Sequence, residues 1–252
     1  MKLVFLTGAG MSAESGLATF RDAGGLWESY PVMEVASHDG WLARPDHVNA
    51  FYNMLRVKYK DIKPCKGHDL VADIERQYDV TVVTQNVDNL HERAGSSHVI
   101  HLHGELMKMC SSRDVDNPRF WVNLPHEGWG ETGLEVPAGT KADDGSLLRP
   151  YIVFFQENVP NIYDGIEAAR EADIFVIIGT SLNVYPAASL IQYVKPSCQV
   201  YLIDPHPAIG AGGRHDVHVI AKGASEGMKE LTEILTATKR YAPLFPPDRG
   251  SQ

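Results

Sequence analysis

The sequence predicts an α/β fold, a Rossmann-like parallel sheet with helices on both faces and a small inserted lobe. Six short apolar runs, each ending in a polar or glycine-rich turn, are typical of parallel strands that are covered on both faces. Segments with apolar residues at helical spacing lie between several of these runs, and this alternation indicates a parallel sheet. Two long segments interrupt the alternation, and they predict the inserted lobe.

The predicted strands and helices follow one another along most of the chain. The six strands are contained in KLVFLTGAG, YDVTVVTQNVD, SHVIHLHG, IFVIIGTSL, CQVYLIDP and DVHVIAKGA. The helices between and after them are contained in GHDLVADIERQY, IYDGIEAAREA and EGMKELTEILTATKR. Strands and helices in this order are expected to form one layered domain.

The two interrupting segments differ in character. Residues 30–66 have helical spacing, whereas residues 107–148 are rich in Gly, Pro, Asp and Trp and predict neither a strand nor a helix. We therefore predict a discontinuous Rossmann-like domain, a small lobe and a tail. The domain comprises residues 1–30, 67–106 and 149–240, the lobe residues 31–66 and 107–148, and the tail residues 241–252.

Charge and composition exclude several classes of partner. The 252 residues carry a net charge of −9, which argues against nucleic acid or an anionic membrane as the main partner. The charge suits a cationic partner such as a lysine-rich protein segment, or it serves solubility alone. No apolar run approaches the ~20 residues of a membrane span. The cysteines are three in number and far apart, so we predict a reducing, cytoplasmic location.

The first predicted strand runs into a glycine turn. Gly8, Gly10 and Ala13 fit the G-x-G-x-x-G/A fingerprint of dinucleotide-binding proteins. A tight turn without a ligand explains these three residues equally well. A dehydrogenase would continue through a helix into a second strand, but Gly24, Gly25 and nearby Pro31 interrupt such a helix. The pattern therefore disfavours simple hydride transfer.

Polar side chains follow three of the predicted strands. Gln85, Asn86 and Asp88 offer two amides and a carboxylate, a set that suits ribose hydroxyls and a carboxamide. Asn and Asp after a strand also cap helices, which is the alternative for any one such position. HLHGE (residues 101–105) and GTSLNVYPA (179–187) end two further strands. Because ligands of open α/β sheets bind at the carboxyl ends of strands, we expect a site there.

Two histidines lie near one predicted strand end, and histidine is a common general base and a common metal ligand. His101 and His103 would share a face of a strand, with Cys110 nearby. No further cysteine or carboxylate completes a recognised ligand spacing, so we expect no metal there. A single histidine is also compatible with a core residue. His103 precedes Gly104 at a predicted strand end and is the best candidate for a general base.

These motifs together resemble the sirtuins, the NAD-dependent protein lysine deacylases. The matching pieces, in family order, are GAGMSAESGLATFRDAGGLWE, TQNVDNLHERAG, HLHGEL, LRPYIVFF and GTSLNVYPA. The resemblance implies a Rossmann-like NAD-binding domain, a small lobe, and His103 as catalytic base. The residues implied for NAD are Gly8, Ala9, Gly10, Ser12, Phe20, Arg21, Gln85, Asn86, Asp88, Gly179, Thr180, Ser181, Asp204 and Ala224. Those implied for the acylated peptide are Tyr52, Arg56, Val153, Phe154 and Phe155.

The resemblance also implies a reaction. The acyl-lysine carbonyl oxygen attacks the ribose carbon as nicotinamide leaves, with charge developing as in glycoside cleavage. His103 then deprotonates a ribose hydroxyl, the acyl group passes to ADP-ribose, and lysine is released. Two alternatives stay open: another NAD-consuming enzyme, either an ADP-ribosyltransferase or an NAD hydrolase, and a non-catalytic NAD-binding module.

The chain departs from the family at the usual structural zinc site. The family has two Cys-x-x-Cys pairs. In this chain Cys110 keeps the first position of the first pair, and Arg113 stands at its second position. Lys141 and Asp144 stand at the two positions of the second pair. One cysteine of four cannot hold zinc, so we expect a zinc-free lobe held by other contacts, such as those of its tryptophans. Asp204 replaces an asparagine at the strand end that meets the adenine ribose in the family.

The acyl preference depends on one helix of the small lobe. Family members that accept succinyl-lysine carry a Tyr and an Arg three residues apart, on one face of that helix. Here Tyr52 fits, but Leu55 stands at the arginine position and Arg56 follows it. We expect acetyl-lysine or a longer neutral acyl-lysine to be preferred, unless Arg56 reaches the acyl pocket.

Overall fold

The computed structural model describes residues 1–17, 30–180, 182, 184–207 and 216–241. The predicted site residues Phe20, Arg21 and Ser181 and most of the predicted tail lie outside them. The described strands are β1 (Lys2–Thr7), β2 (Asp79–Thr84), β3 (Val99–His101), β4 (Gly104–Ser111), β5 (Val122–Asn123), β6 (Leu148–Ile152), β7 (Ile174–Ile178), β8 (Gln199–Ile203) and β9 (Val217–Ile220).

The described α-helices are α1 (Ala9–Ala13), α2 (Val32–Val35), α3 (His38–Ala43), α4 (Pro45–Tyr59), α5 (Lys66–Asp73), α6 (Leu90–Ala94), α7 (Ile162–Glu171) and α8 (Ala224–Tyr241). Short 3₁₀ turns cover Ile74–Arg76, Pro118–Phe120 and Ala187–Tyr193. None of the helices in the described part of the chain has the length and apolar character that a membrane crossing needs.

The large sheet is parallel, as predicted, with strand order β3-β2-β1-β7-β8-β9. Its strands read as continuous apolar runs because both faces are covered. In β1, Leu3 and Phe5 belong to one buried cluster, with residues of α5 and α8. Val4 and Leu6 point the other way, into a second cluster with residues of α7. This two-sided burial confirms the predicted α/β class.

The register of the large sheet brings its strand ends to one level. Thr7 of β1 lies opposite Thr84 of β2 and Ile178 of β7, and Thr84 lies opposite His101 of β3. The loops after these four strands therefore leave the sheet side by side. These loops carry most of the residues predicted to bind NAD.

A second, antiparallel sheet has the order β5-β4-β6. The expectation of no strand in residues 107–148 is wrong, since β4 extends to Ser111 and β5 lies wholly within that range. The pairing of β4 with β6 shifts register between Gly104 and Met109. Such an irregularity disrupts the alternation by which a strand is recognised, and β5 has only two residues.

Helices α2–α4 confirm the helical pattern predicted for residues 30–66. Pro45 opens α4 at a position where its missing N–H costs nothing. The apolar face of α4, with Phe51 and Leu55, packs against Leu106 of β4 and Phe154. The separation of this small-sheet region from the large sheet as an independent lobe stays a prediction.

Candidate active site

The glycine turn after β1 packs directly on the turn after β7. The Gly8 N–H donates to the Ile178 oxygen at 3.0 Å, and the Gly10 N–H donates to the Gly179 oxygen at 2.9 Å. A Cβ on Gly10 would lie 2.6 Å from the Gly179 Cα, and Gly179 itself has φ +60°. Glycine is therefore required at both positions by backbone contact. Ala9 begins α1 in this turn.

The strand pattern after this turn differs from that of a dehydrogenase. Helices α2–α5 follow α1 among the described residues, and the next described strand is β2, which pairs with β1. Most of the segment on which the prediction of no second strand rests, residues 18–29, lies outside the described residues.

Ser12, Asn86 and Asp88 form one hydrogen-bonded cluster. The Asn86 amide donates to the Gly8 oxygen at 3.0 Å and to Ser12 Oγ at 3.1 Å. Ser12 Oγ in turn donates to Asp88 Oδ2 at 2.9 Å. The other Asp88 oxygen accepts the Leu90 N–H at the start of α6, although the N-cap position of that helix is Asn89. Burial raises the pKa of Asp88 despite these donors.

Gln85 joins the loop after β2 to the loop after β7, since its amide donates to Thr180 Oγ1 at 3.0 Å. Asp204, after β8, instead accepts the backbone N–H of His206 at 2.8 Å. Ala224 opens α8, where the neighbouring Ser225 donates its backbone N–H and its hydroxyl to Glu14. The structure thus joins the cluster of Ser12, Asn86 and Asp88 to the glycine turn. It records no direct bond from that cluster to Asp204 or Ala224 among the described residues.

His103 lies in the turn between β3 and β4, so it does not share a strand with His101. Its Nδ1 atom is 3.0 Å from the Gln85 backbone oxygen. A carbonyl oxygen only accepts, so Nδ1 carries the hydrogen and the lone pair of neutral His103 is on Nε2. Burial lowers the pKa of His103, although the Gln85 contact opposes the shift. A neutral imidazole with a defined tautomer suits a general base.

The segment after β6 is tied to the base. The Val153 N–H donates to the His103 backbone oxygen at 2.9 Å. Phe154 is buried, whereas the side chain of Phe155 is half exposed. The Phe155 N–H donates to the Ala36 oxygen at 2.8 Å. The predicted peptide-binding residues therefore form an extended segment beside the candidate base.

An ion pair between a buried arginine and a partly buried glutamate, which the sequence did not predict, supports this segment. Arg149 is almost fully buried and contacts both oxygens of Glu157, at 2.6 and 3.0 Å. Its guanidinium lies 4.0 Å from the ring centroid of Phe154, and Glu157 also accepts the Phe154 N–H at 2.9 Å. An arginine within an apolar strand requires a buried partner, and that is the signal in LRPYI that could have revealed the pair.

Arg56 lies inside the protein, away from any surface. Its side chain is fully buried and donates to the Leu106 oxygen at 2.7 Å, to Asn53 Oδ1 at 2.9 Å and toward Met109 Sδ. These bonds connect α4 to β4 and engage all three guanidinium nitrogens. Tyr52 is also buried and packs 5.1 Å from Phe51, ring to ring. The Arg56 guanidinium therefore points into the protein interior.

A polar network occupies the region where the family has zinc. The Ser111 hydroxyl donates to Asp144 at 2.6 Å, and Asp144 also accepts from the Ser146 hydroxyl at 2.7 Å. These bonds lower the pKa of Asp144 to about 2. Arg113 donates to the Asp144 backbone oxygen at 3.3 Å. We call Ser111, Arg113, Asp144 and Ser146 the lobe clasp, because this group joins the end of β4 to the chain before β6.

The tryptophans also contribute, as suggested from the sequence. Trp121 lies 4.7 Å from Tyr151, ring to ring, and beneath the Lys108 ammonium at 4.4 Å. Trp129 packs on the cluster around Met109. The buried Cys110 thiol contacts the Arg149 oxygen at 3.7 Å. Among the described residues, no group of three or more His, Cys, Asp or Glu side chains is arranged to hold a metal.

A cavity of about 340 Å³ adjoins Asp88 and is lined by residues of α6 and β4, among others. Its walls are mostly apolar, and the charged side chains among them are Lys60, Asp88 and Arg93. An apolar pocket with a few polar groups is typical of a small-molecule site.

Comparison with known proteins points to one family. Residues 8–186 match the model of the Sir2 family. A Bacteroides thetaiotaomicron protein named NAD-dependent protein deacylase is 56% identical over 233 residues, which cover 92% of this chain and 97% of that protein. A Helicobacter pylori J99 protein of the same name is 43% identical over 229 residues, covering 91% and 93%. A solved Sir2 homologue in complex with NAD has a TM-score of 0.80 at 36% identity, covering 94% of this chain and 90% of that one.

Proposed function

The chain belongs to the Sir2 family, and on that premise we propose that His103 is the general base of its reaction. The chain is an NAD-dependent protein deacylase, with NAD as co-substrate and acylated lysine side chains of proteins as substrates. The observation that carries the assignment of His103 is the 3.0 Å contact of its Nδ1 with the Gln85 oxygen. This contact leaves the Nε2 lone pair available for a proton.

The donor set at the strand ends fits NAD. Ser12, Gln85, Asn86 and Thr180 supply hydroxyls and amides, the groups that bind ribose hydroxyls and a carboxamide. When bound, NAD supplies the ADP-ribose group that accepts the acyl chain, and nicotinamide as leaving group. We assign the nicotinamide end to Asn86, Asp88 and the adjoining cavity, and the adenosine end to Asp204 and Ala224. Phe20, Arg21 and Ser181 belong to the same proposal.

The acylated peptide is proposed to pair with residues 153–155. Val153 is bonded to the His103 carbonyl, so a peptide along this segment would lie next to the base. The Arg149–Glu157 pair holds the segment from within. The half-exposed Phe155 offers apolar surface to the peptide. Tyr52 is proposed to contribute to the acyl pocket, whereas the inward bonds of Arg56 argue against such a role for that residue.

We propose further that the small-sheet region needs no zinc. The support is the lobe clasp, in which a serine–aspartate–serine network joins the two chain segments that zinc would otherwise join. A cytoplasmic location also remains a proposal, supported by three cysteines that are all free thiols.

The decisive experiment incubates the purified protein with NAD and an acetyl-lysine peptide, and identifies the products by mass spectrometry. We expect equal amounts of free lysine peptide, nicotinamide and O-acetyl-ADP-ribose. Plain ADP-ribose with intact acetyl-peptide would identify an NAD hydrolase, and ADP-ribosylated protein would identify a transferase. Binding of NAD without any product would leave only a binding module.

A further inference from the structure

We propose that His101 is a positioning residue that fixes the segment Asn86–Glu92 in its NAD-binding conformation. It does so only as a doubly protonated imidazolium. This inference rests on the proposed function, in which Asn86 and Asp88 hold NAD. His101 is distinct from the base, and the reaction requires no proton transfer from it.

The contacts of His101 determine its protonation. The side chain is only 6% exposed. Its Nδ1 atom lies 2.9 Å from the Asn86 backbone oxygen, and its Nε2 atom lies 2.7 Å from Glu92 Oε1. A carbonyl oxygen and a carboxylate both accept hydrogen bonds and donate none. Both ring nitrogens therefore carry hydrogens, and the ring is a buried cation beside a carboxylate.

The two partners of His101 lie at opposite ends of one segment. Asn86 follows β2 and donates its side-chain amide to Gly8 and Ser12. Glu92 lies on α6, and Asp88, just before that helix, accepts the N–H of its first residue, Leu90. One ring thus ties the peptide after Asn86 to the helix that follows Asp88. Loss of either bond would free one end of the segment that orients both side chains.

The charges around His101 favour its protonated form. Glu92 on α6 contacts the ring directly, and Asp88 before that helix is also close. Glu105 on β4 adds a third carboxylate, itself paired with Lys108. His91 on α6 is the opposing titratable neighbour, and burial lowers its pKa well below the usual value. Burial also acts to lower the pKa of His101. The hydrogen bond and charge of Glu92, the Asn86 hydrogen bond and the charge of Glu105 together outweigh burial and raise that pKa.

Deprotonation of His101 at alkaline pH must break one of its two bonds. The neutral ring has a single N–H, so it cannot donate to Asn86 and Glu92 together. We expect the Kd and the KM for NAD to rise at alkaline pH while kcat changes little. The opposite, acid limb of the pH profile belongs to His103, which must be neutral to act as base.

The test measures kcat and the KM for NAD from pH 5.5 to 10 in wild type and three variants. Glu92→Gln removes the charge that holds the proton, so the alkaline rise in KM is expected to begin at least about one pH unit lower. Glu105→Gln, the matched control, removes a nearby carboxylate that does not touch the ring and should shift the rise less. His101→Gln should raise the KM about tenfold at pH 7 and abolish the alkaline rise, with kcat within about threefold of wild type.

Equal shifts in the Glu92 and Glu105 variants, or an unchanged KM profile in His101→Gln, would overturn the proposal. A second measurement does not depend on deacylation. In ¹⁵N-labelled wild type at pH 7, both ring nitrogens of His101 should have shifts of protonated imidazole, and the Kd for NAD from calorimetry should rise between pH 7 and 9. An unprotonated ring nitrogen at pH 7 would also overturn it. If the ¹⁵N shifts and the pH dependence of the Kd are as expected but the protein does not deacylate peptides, only the proposed function is refuted.

Discussion

The Nδ1 atom of His103 and the backbone oxygen of Gln85 lie 3.0 Å apart, so the ring is oriented by the main chain. Gln85 follows β2, and its own N–H is bonded to the Thr7 oxygen of β1. The orientation of His103 is thereby coupled to the central strands of the large sheet. Because the partner is a backbone atom, no side-chain substitution at Gln85 removes it.

Replacement of His103 tests its role as base. We expect His103→Ala to lower kcat for deacylation by about 10²–10⁴-fold, the usual contribution of a general base, with the Kd for NAD within a few-fold of wild type. Steady-state assays with an acetylated peptide and calorimetry with NAD measure the two quantities. His98→Ala, which removes an exposed histidine just before β3, is the control and should retain wild-type turnover. Near-normal kcat in His103→Ala would exclude the residue from the mechanism.

The lobe clasp is expected to stabilise the protein without metal. Ser111 is fully buried, and its hydroxyl bonds to Asp144 and accepts the backbone N–H groups of Arg113 and Asp114. Ser111→Ala should therefore cost about 1–3 kcal/mol of unfolding free energy. For the neighbouring Ser112, the described contact is a backbone bond to Leu147, so Ser112→Ala is the control and should change stability little.

Metal analysis complements these variants. Purified protein should contain far less than one zinc per chain, and a chelator should leave the Tm unchanged. One zinc per chain, or a Tm that falls with chelator, would contradict the proposal of a zinc-free protein.

The acyl preference follows from the helix that carries Tyr52. Leu55 is buried in an apolar cluster, and the Arg56 guanidinium is bonded to Leu106 and Asn53. At the position of Leu55 no arginine is available to pair with a succinyl carboxylate. We therefore expect kcat/KM to favour the acetyl over the succinyl form of one peptide by at least about tenfold.

Arg56→Lys separates the two possible roles of Arg56. A lysine cannot reproduce the forked donors of the guanidinium, so we expect lower stability with an unchanged ratio of acetyl to succinyl kcat/KM. A wild type that prefers the succinyl peptide, together with loss of that preference in Arg56→Lys, would show that this arginine reaches the acyl group.

Acid sensitivity of the fold should depend on His68. The ring is fully buried, its Nδ1 accepts the Cys65 N–H at 3.3 Å, and burial lowers its pKa to about 4. In the unfolded chain the group titrates near 6.5, so between these pH values the unfolded state binds the extra proton. The contribution of neutral His68 to the free energy of unfolding is therefore complete above pH ~6.5. As the pH falls toward 4, this residue lowers the free energy of unfolding by about 3 kcal/mol.

The check compares Tm values at pH 7.5 and 5 in wild type and in His68→Gln, which keeps an acceptor for Cys65 but does not titrate. The variant should lose less stability on acidification, although buried His91 still contributes in the same direction. An equal loss in both proteins would show that His68 is not responsible.

The strands of the large sheet could be predicted because each of them carries its own signal in its sequence. A strand such as β7, buried on both faces, must be apolar throughout, and that requirement is visible in IFVII. The small sheet could not be predicted, since the register shift in β4 and the two-residue β5 remove the alternation. Its β4–β6 pairing joins residues about 40 positions apart, and no local pattern in the sequence indicates such a pairing.

The candidate site divides in the same way. The glycine turn and the polar strand ends were visible as residue types, and the common level of the strands brings them together. The partnerships of Arg149 with Glu157 and of His101 with Glu92 were not predicted, because each depends on how a turn or a short helix folds back. Arg56 shows the reverse case, in which spacing suggested a substrate contact and packing turned the side chain inward.

The central place of β1 affects how the protein is made. β1 is synthesised before both of its partners, β2 on one side and β7, residues 174–178, on the other. At ~5–20 residues per second, a ribosome needs on the order of 10–30 s between finishing β1 and finishing β7. For that time an apolar strand lacks one of its two neighbours, a state that invites wrong pairing. The nascent chain is thus expected to need protection by a chaperone until the second half emerges, and sudden overproduction should yield aggregates rather than slow folding.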